Sequence, residues 1–234
     1  MATYVLVHGG WSGAHGFRAV LRPLHAAGND VFTPSLTGIG ERVHLTSPQV
    51  NLTTHIRDVV NVILYEDLTD IVLLGFSYGG FVVTGALEHI APRVQHLVYL
   101  DAFVPGDGDS VMGLVGRDGR ETVELGQAWL VPPPTREYDD PAEAAFAEAR
   151  RTPHPIDCFT DPVHLHQELE SYPFTRTYIK ATADAADAPA AKAFWAAAER
   201  AKSSPSWRYR EVATNHMIPN NRPKELAQLL LELA

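Results

Sequence analysis

Apolar residues along the chain fall into two alternating rhythms. Short continuous runs recur at Tyr4 to His8, Asp30 to Thr33, Ile71 to Gly75, His96 to Asp101, Thr177 to Ala181 and Arg208 to Val212. Between them lie longer amphipathic stretches: Phe17 to Ala27, Thr53 to Tyr65, Ser77 to His89, Ala190 to Lys202 and Pro223 to Leu233. A strand covered on both faces needs no polar alternation, and Ile71-Val72-Leu73-Leu74 has none. Thr53 to Tyr65 carries Ile56, Val59, Val60, Ile63 and Leu64 as one helical stripe, with polar residues opposite. Strands and helices in this alternation predict an α/β fold, a mostly parallel sheet with helices on both faces.

The rhythm stops between residues 105 and 174, which are rich in proline, glycine and charge and include Pro132-Pro133-Pro134. One short helix is predicted there, Pro141 to Arg151, and no strand of the sheet. A loop of this length inside a compact domain usually has a function. Trp129, Leu130, Phe146, Phe159, Leu165, Tyr172 and Phe174 give it the apolar content of a packed segment rather than a linker. The expectation is a core of residues 1–104 and 175–234, with a cap at 105–174 inserted before the penultimate strand, over the carboxyl edge of the sheet.

Composition narrows the partners more than the chemistry. At 234 residues, 45% hydrophobic and 20% charged, the chain has the size and balance of one large soluble domain. Nineteen basic against twenty-eight acidic residues give a formal charge of -9, which disfavours nucleic acid and anionic membranes as partners. The single cysteine, Cys158, allows no intrachain disulfide and reads as packing or pocket wall. The first residues lack a basic region and a long apolar run, so no signal peptide is expected. No run approaches the about 18 apolar residues of a membrane helix. Asn51-Leu52-Thr53 matches a glycosylation sequon only by chance on that reading. A cytoplasmic location is expected, with a small molecule as partner and a homodimer left open.

The chemistry is concentrated in Gly75-Phe76-Ser77-Tyr78-Gly79, between an apolar run and a helical stretch. Strand, tight turn and helix are the setting in which G-x-S-x-G forms a nucleophile elbow, with Ser77 at its apex. A serine hydroxyl needs a base, and that base needs orienting. His216, in Ala213-Thr214-Asn215-His216-Met217 after the last strand, is the expected base among eleven histidines. For the orienting acid Asp184, just past Tyr178-Ile179-Lys180-Ala181, is favoured. Asp101 at the end of another strand and Asp187, which could cap the next helix, are the alternatives. The oxyanion formed on attack requires preorganised donors. The backbone N–H groups of Tyr78 and of Gly10, in Val7-His8-Gly9-Gly10-Trp11, are the candidates, with Trp11 as fallback and His8 as a brace for the loop.

Other histidines read plainly. His164 and His166 lack the further ligands of a metal site, Glu168 and Glu170 belong to a solvated surface, and His89 and His96 flank a turn. Gly38-Ile39-Gly40-Glu41-Arg42 does not end as a phosphate loop does, and there is no dinucleotide fingerprint. No cofactor and no metal are expected.

These residues resemble the α/β-hydrolase family from the first strand to the last helix. More narrowly, the chain resembles the branch holding plant methylesterases, plant hydroxynitrile lyases and small bacterial esterases. The likeness rests on Leu6-Val7-His8-Gly9-Gly10, Gly75-Phe76-Ser77-Tyr78-Gly79-Gly80, Tyr99-Leu100-Asp101-Ala102-Phe103-Val104-Pro105, Tyr178-Ile179-Lys180-Ala181-Thr182-Ala183-Asp184 and Asn215-His216-Met217. The resemblance implies a Ser77, Asp184, His216 triad and oxyanion donors at Gly10 and Tyr78. It departs from the branch at Ser12, where relatives often carry histidine, at His15, which replaces a tryptophan, and in the less familiar cap.

The implied function is that of a carboxylic ester hydrolase, working through an acyl-enzyme on a small hydrophobic or aromatic substrate. Trp11, Trp129, Phe159 and Met217 are the expected pocket residues. The alternatives are a hydroxynitrile-lyase-type reaction, lactone or amide hydrolysis, and ligand binding without turnover. In the lyases of this branch a threonine follows the loop histidine and a lysine follows the catalytic one. Gly9 and Met217 stand at those positions, the esterase choice. With His216 as base, activity should rise through about pH 6 to 8.

Overall fold

Six strands make one sheet: β1 (Thr3–Val7), β2 (Asp30–Phe32), β3 (Ile71–Phe76), β4 (Val94–Leu100), β5 (Thr175–Ala181) and β6 (Arg208–Val212). The computed structural model describes residues 1–117, 129–185 and 188–233. The strand order is β2-β1-β3-β4-β5-β6, and every pairing is parallel. Parallel neighbours need crossovers, and these carry α1 (Arg18–Ala26), α2 (Leu52–Tyr65), α3 (Gly79–Ile90) and α5 (Pro189–Ser203). α4 (Pro141–Glu148) lies in the long segment before β5, and α6 (Pro223–Leu231) closes the domain. No helix among the described residues is long and apolar enough to cross a membrane.

The continuous apolar strands are explained by two separate cores. Val5, Val7, Ile71, Leu73, Leu97, Tyr99 and Tyr178 point to one face and pack with Val59 and Ile63 of α2, Phe81 and Val82 of α3 and Phe194 of α5. Tyr4, Leu6, Val72, Leu74, Val98, Leu100 and Ile179 point to the other, against Val20 and Leu24 of α1 and Leu226 and Leu230 of α6. Successive side chains of the four inner strands thus alternate between two apolar environments rather than between core and water, while the edge strands β2 and β6 are partly exposed.

The segment from 105 to 174 contributes more than the predicted short helix. Leu130–Val131 pairs antiparallel with His154–Pro155, a ladder too short to show any period in the sequence. Cys158, Phe159, Val163, Leu169 and Phe174 join the first core, so this part of the chain is packed down rather than loosely attached. With all strands parallel, His8, Ser77, Asp101 and Thr182 each follow a strand at the same carboxyl edge. Ligands of open α/β sheets bind at that edge.

Candidate active site

Ser77 follows β3 directly and precedes α3, with a backbone φ of 55°. That left-handed conformation is uncommon for a serine and marks the strained apex of an elbow. The strain is kept in place by close packing of the flanking backbone. A Cβ at Gly75 would lie 2.6 Å from the Gly79 carbonyl oxygen, and one at Gly80 would lie 2.1 Å from that of Phe103. Only glycine lets strand, helix and the chain after β4 approach this closely.

The loop after β6 brings His216 onto the serine. Ser77 Oγ lies 3.0 Å from His216 Nε2, and His216 Nδ1 lies 2.7 Å from Asp101 Oδ2. A carboxylate only accepts, so Nδ1 carries the proton it donates to Asp101, and Nε2 is left to accept from the Ser77 hydroxyl. Phe76 and Phe194 both stack on the imidazole, at ring separations of 4.8 and 5.1 Å. Burial lowers the His216 pKa below its ordinary 6.5, although the hydrogen bond to Asp101 works the other way.

The acid is therefore Asp101, correcting the expectation of Asp184. Asp101 ends β4, adjacent in the sheet to β3, and has a φ of 38° that turns its side chain into the rim. Asp184 lies beyond the end of β5 and its Oδ2 accepts the backbone N–H of His216 at 2.6 Å. It holds the loop that carries the base and not the ring. Asp187 lies outside the described residues.

Asp101 has a second partner that the sequence reading did not assign. Lys180, in β5, donates from Nζ to Asp101 Oδ1 at 2.7 Å and to the Ala181 carbonyl at 2.6 Å. Both members of this ion pair are almost fully buried, and the Ala181 amide donates to the same Oδ1 at 3.3 Å. The ammonium also stands 4.4 Å from the Trp195 ring centroid. Burial alone would raise the Asp101 pKa, but His216 and Lys180 together hold it below the ordinary carboxylate range. The sequence did carry a signal, a lysine inside an otherwise apolar buried strand, which requires a charge partner.

The amides of Gly10 and Tyr78 flank the serine on the chain after β1 and at the start of α3. Neither donates to an acceptor among the described residues. The Gly9 backbone is pressed against the nucleophile, since a Cβ there would lie 2.9 Å from Ser77 Cβ. His8 braces the loop: its Nε2 accepts the Leu36 amide at 3.1 Å, and its Nδ1–H donates to the Gly9 carbonyl at 2.9 Å. Tyr78 is anchored from behind, its hydroxyl 3.0 Å from Nδ1 of His55, whose Nε2–H reaches the Thr37 carbonyl at 2.8 Å. Burial brings both His8 and His55 down to about 4, so at neutral pH they act as uncharged braces.

Of the expected pocket residues, Met217 is on the wall of the cleft above Ser77, and the other three are not. Phe159 is buried behind Gly10 against Tyr78, and Trp11 packs on Phe159 while donating to the Val131 carbonyl at 2.8 Å. Trp129 holds the short ladder through its carbonyl, which accepts the Ile156 amide at 2.8 Å. The cleft wall instead includes His15, Arg136, Tyr138, Phe146 and Asn220. Cys158 is buried, with burial raising its thiol pKa, which suits packing and not nucleophilic chemistry. No group of three or more potential ligands among the described residues could hold a metal ion.

An elbow serine, an imidazole and a strand-end carboxylate at the edge of a parallel sheet define an α/β-hydrolase site. The sequence matches the Alpha/beta hydrolase family over residues 4–229, and the chain belongs to it. Among curated relatives, it is 52% identical over 115 residues to a carbendazim hydrolyzing esterase from Nocardioides sp. (strain SG-4G), 49% of this chain and 48% of that protein. It is 22% identical to putative methylesterase 13, chloroplastic, of Arabidopsis thaliana, across 99% of this chain and 56% of that one. The chain thus spans about half the length of the curated relatives it matches. Among solved structures, an extracellular α/β-hydrolase from a Paenibacillus species superposes with a TM-score of 0.81 at 23% identity, over 99% of this chain and 98% of that one. That protein is described as sharing structural and functional homology with tobacco salicylic acid binding protein 2.

Proposed function

We propose that this protein hydrolyses carboxylic esters of small molecules through an acyl-enzyme on Ser77. The observation that carries the reading is the unbroken chain of hydrogen-bond distances from Ser77 Oγ through His216 to Asp101, opening on the cleft. The esterase relative at 52% identity over about half the chain supports it.

The geometry supplies each step. His216 Nε2 takes the hydroxyl proton as Oγ attacks the ester carbonyl, and Asp101 stabilises the imidazolium that results. The amides of Gly10 and Tyr78, the latter at the positive end of α3, receive the oxyanion. His216 then protonates the departing alkoxide, and the alcohol leaves. Water enters, gives a proton to Nε2 and opens the acyl-enzyme by the same route. Phe146 and Met217 give the cleft an apolar wall for the hydrocarbon part of the substrate. Gly9 leaves the approach to Ser77 clear, where any side chain would crowd Ser77 Cβ.

The test is turnover of short aryl esters by the wild type and by Ser77→Ala. The variant should lose about a thousandfold or more in kcat, since loss of the nucleophile disables the whole relay. Equal rates in the two proteins would refute the assignment.

A further inference from the structure

Two guanidinium groups, Arg136 and Arg151, face the cleft above Ser77, and no carboxylate is among its described lining residues. This is unexpected in a chain with nine more acidic than basic residues, 28 against 19. Several other arginines are met by carboxylates: Arg42 by Asp58 at 3.2 Å, Arg93 by Asp67 at 2.9 Å, Arg200 by Glu170 at 2.6 Å, and Arg18 and Arg222 by Glu143 and Asp139. Arg151 itself has Glu148 at 3.0 Å.

Arg136 differs. Among the described residues no carboxylate pairs with it and no hydrogen bond holds it. The carboxylates whose charge reaches it, Asp184 and Asp101, are already engaged at His216 and Lys180. Burial first, and the like charge of Arg151 second, lower its pKa from the usual value. The hydroxyl of Tyr138, on the same wall, is buried and has no well-formed hydrogen bond; the Glu148 carboxylate, already on Arg151, stands near enough to help raise its pKa. A half-buried guanidinium that faces the cleft with no fixed partner is open to a bound acceptor, and shielding from bulk water strengthens that pairing.

We propose that Arg136 and Tyr138 form a recognition site for an anionic group on the substrate, so that the ester cleaved at Ser77 carries a second, free carboxylate. This rests on the reading of Ser77 as an acyl-forming nucleophile. A planar guanidinium offers a carboxylate two parallel N–H donors, and the phenol adds a third. The substrate class is the half-ester of a dicarboxylic acid. Water adds across the ester C–O bond, hydroxyl to the acyl carbon and proton to the alkoxide, releasing an alcohol and a dicarboxylate.

The experiment compares methyl half-esters of succinic, glutaric, adipic and terephthalic acids with the matching dimethyl esters, read by proton release. In the wild type at least one half-ester should exceed its diester in kcat/KM by about tenfold or more, the scale of one charge-assisted pair. That ratio should fall to near one in Arg136→Met and recover in part in Arg136→Lys. Competitive inhibition of the wild type by the free dicarboxylate, and not by its diamide, gives a second reading that needs no variant to fold. No half-ester preference in the wild type, or a preference unchanged in Arg136→Met, would overturn the proposal. If diesters alone are cleaved and Ser77→Ala abolishes this, only the anion site fails. If Ser77→Ala cleaves all of them at the wild-type rate, the underlying reading fails with it.

Discussion

The carboxylate behind His216 does two jobs at once, accepting the imidazole proton on one oxygen and the Lys180 ammonium on the other. Asp101→Asn would offer an amide in place of the acceptor and favour the wrong tautomer, so kcat should drop by about ten-thousandfold. Asp184→Asn keeps an oxygen for the His216 backbone amide, and its kcat should stay within about tenfold. The reverse ranking in steady-state kinetics would move the acid back to Asp184. The sequence could not make this choice, because both aspartates follow strands at one rim and both satisfy the order serine, acid, histidine. A separation of 2.7 Å to one imidazole nitrogen is a property of the folded rim alone. Ser77 and His216 were legible because an elbow between an apolar strand and a helix is written locally. The base must be neutral to act, and burial lowers its pKa below 6.5. The acid limb of kcat/KM should therefore have its midpoint below pH 6.5, lower than a rise through about pH 6 to 8 implies. A midpoint above 6.5 would mean that Asp101 outweighs burial.

At the scale of elements, β5 is the informative strand. Its outer neighbours β4 and β6 are joined to it in register, Leu100 opposite Ile179 and Val212 opposite Ala181. Lys180 interrupts its apolar run and is nevertheless buried. A buried ion pair adds little net stability when complete, but removing one partner leaves a charge in a poor medium. Lys180→Met should cost about 3–5 kcal/mol in urea unfolding. A loss below about 1 kcal/mol would show that Asp101 is adequately neutralised by His216 alone. The four inner strands were legible in the sequence because each lies between two apolar layers, and the more exposed edge strands β2 and β6 by their place in the alternation with helices. Their ends shifted by a few residues, as with β4 starting at Val94 and β5 at Thr175, since pairing and not composition decides where a ladder stops. The two-residue ladder at Leu130–Val131 could not be read at all.

For the molecule as a whole, the roof of the cleft and the loop bearing the base are fastened to each other. Asn215 donates to the Glu137 carbonyl at 3.1 Å, the Asp139 amide to Asn221 at 3.0 Å, and Asn220 to Glu143 at 2.7 Å, with Arg222 paired to Asp139. Glu143 also holds Arg18 of α1. The segment that supplies Arg136 and Tyr138 therefore shares its anchor points with the residues immediately around His216. Grafting the roof of another hydrolase onto this scaffold would not be a modular exchange. A donor segment lacking matching partners for Asn215, Asn220 and Arg222 would bring a new taste in substrates together with an ill-seated imidazole, and a chimaera would have to transplant both pieces.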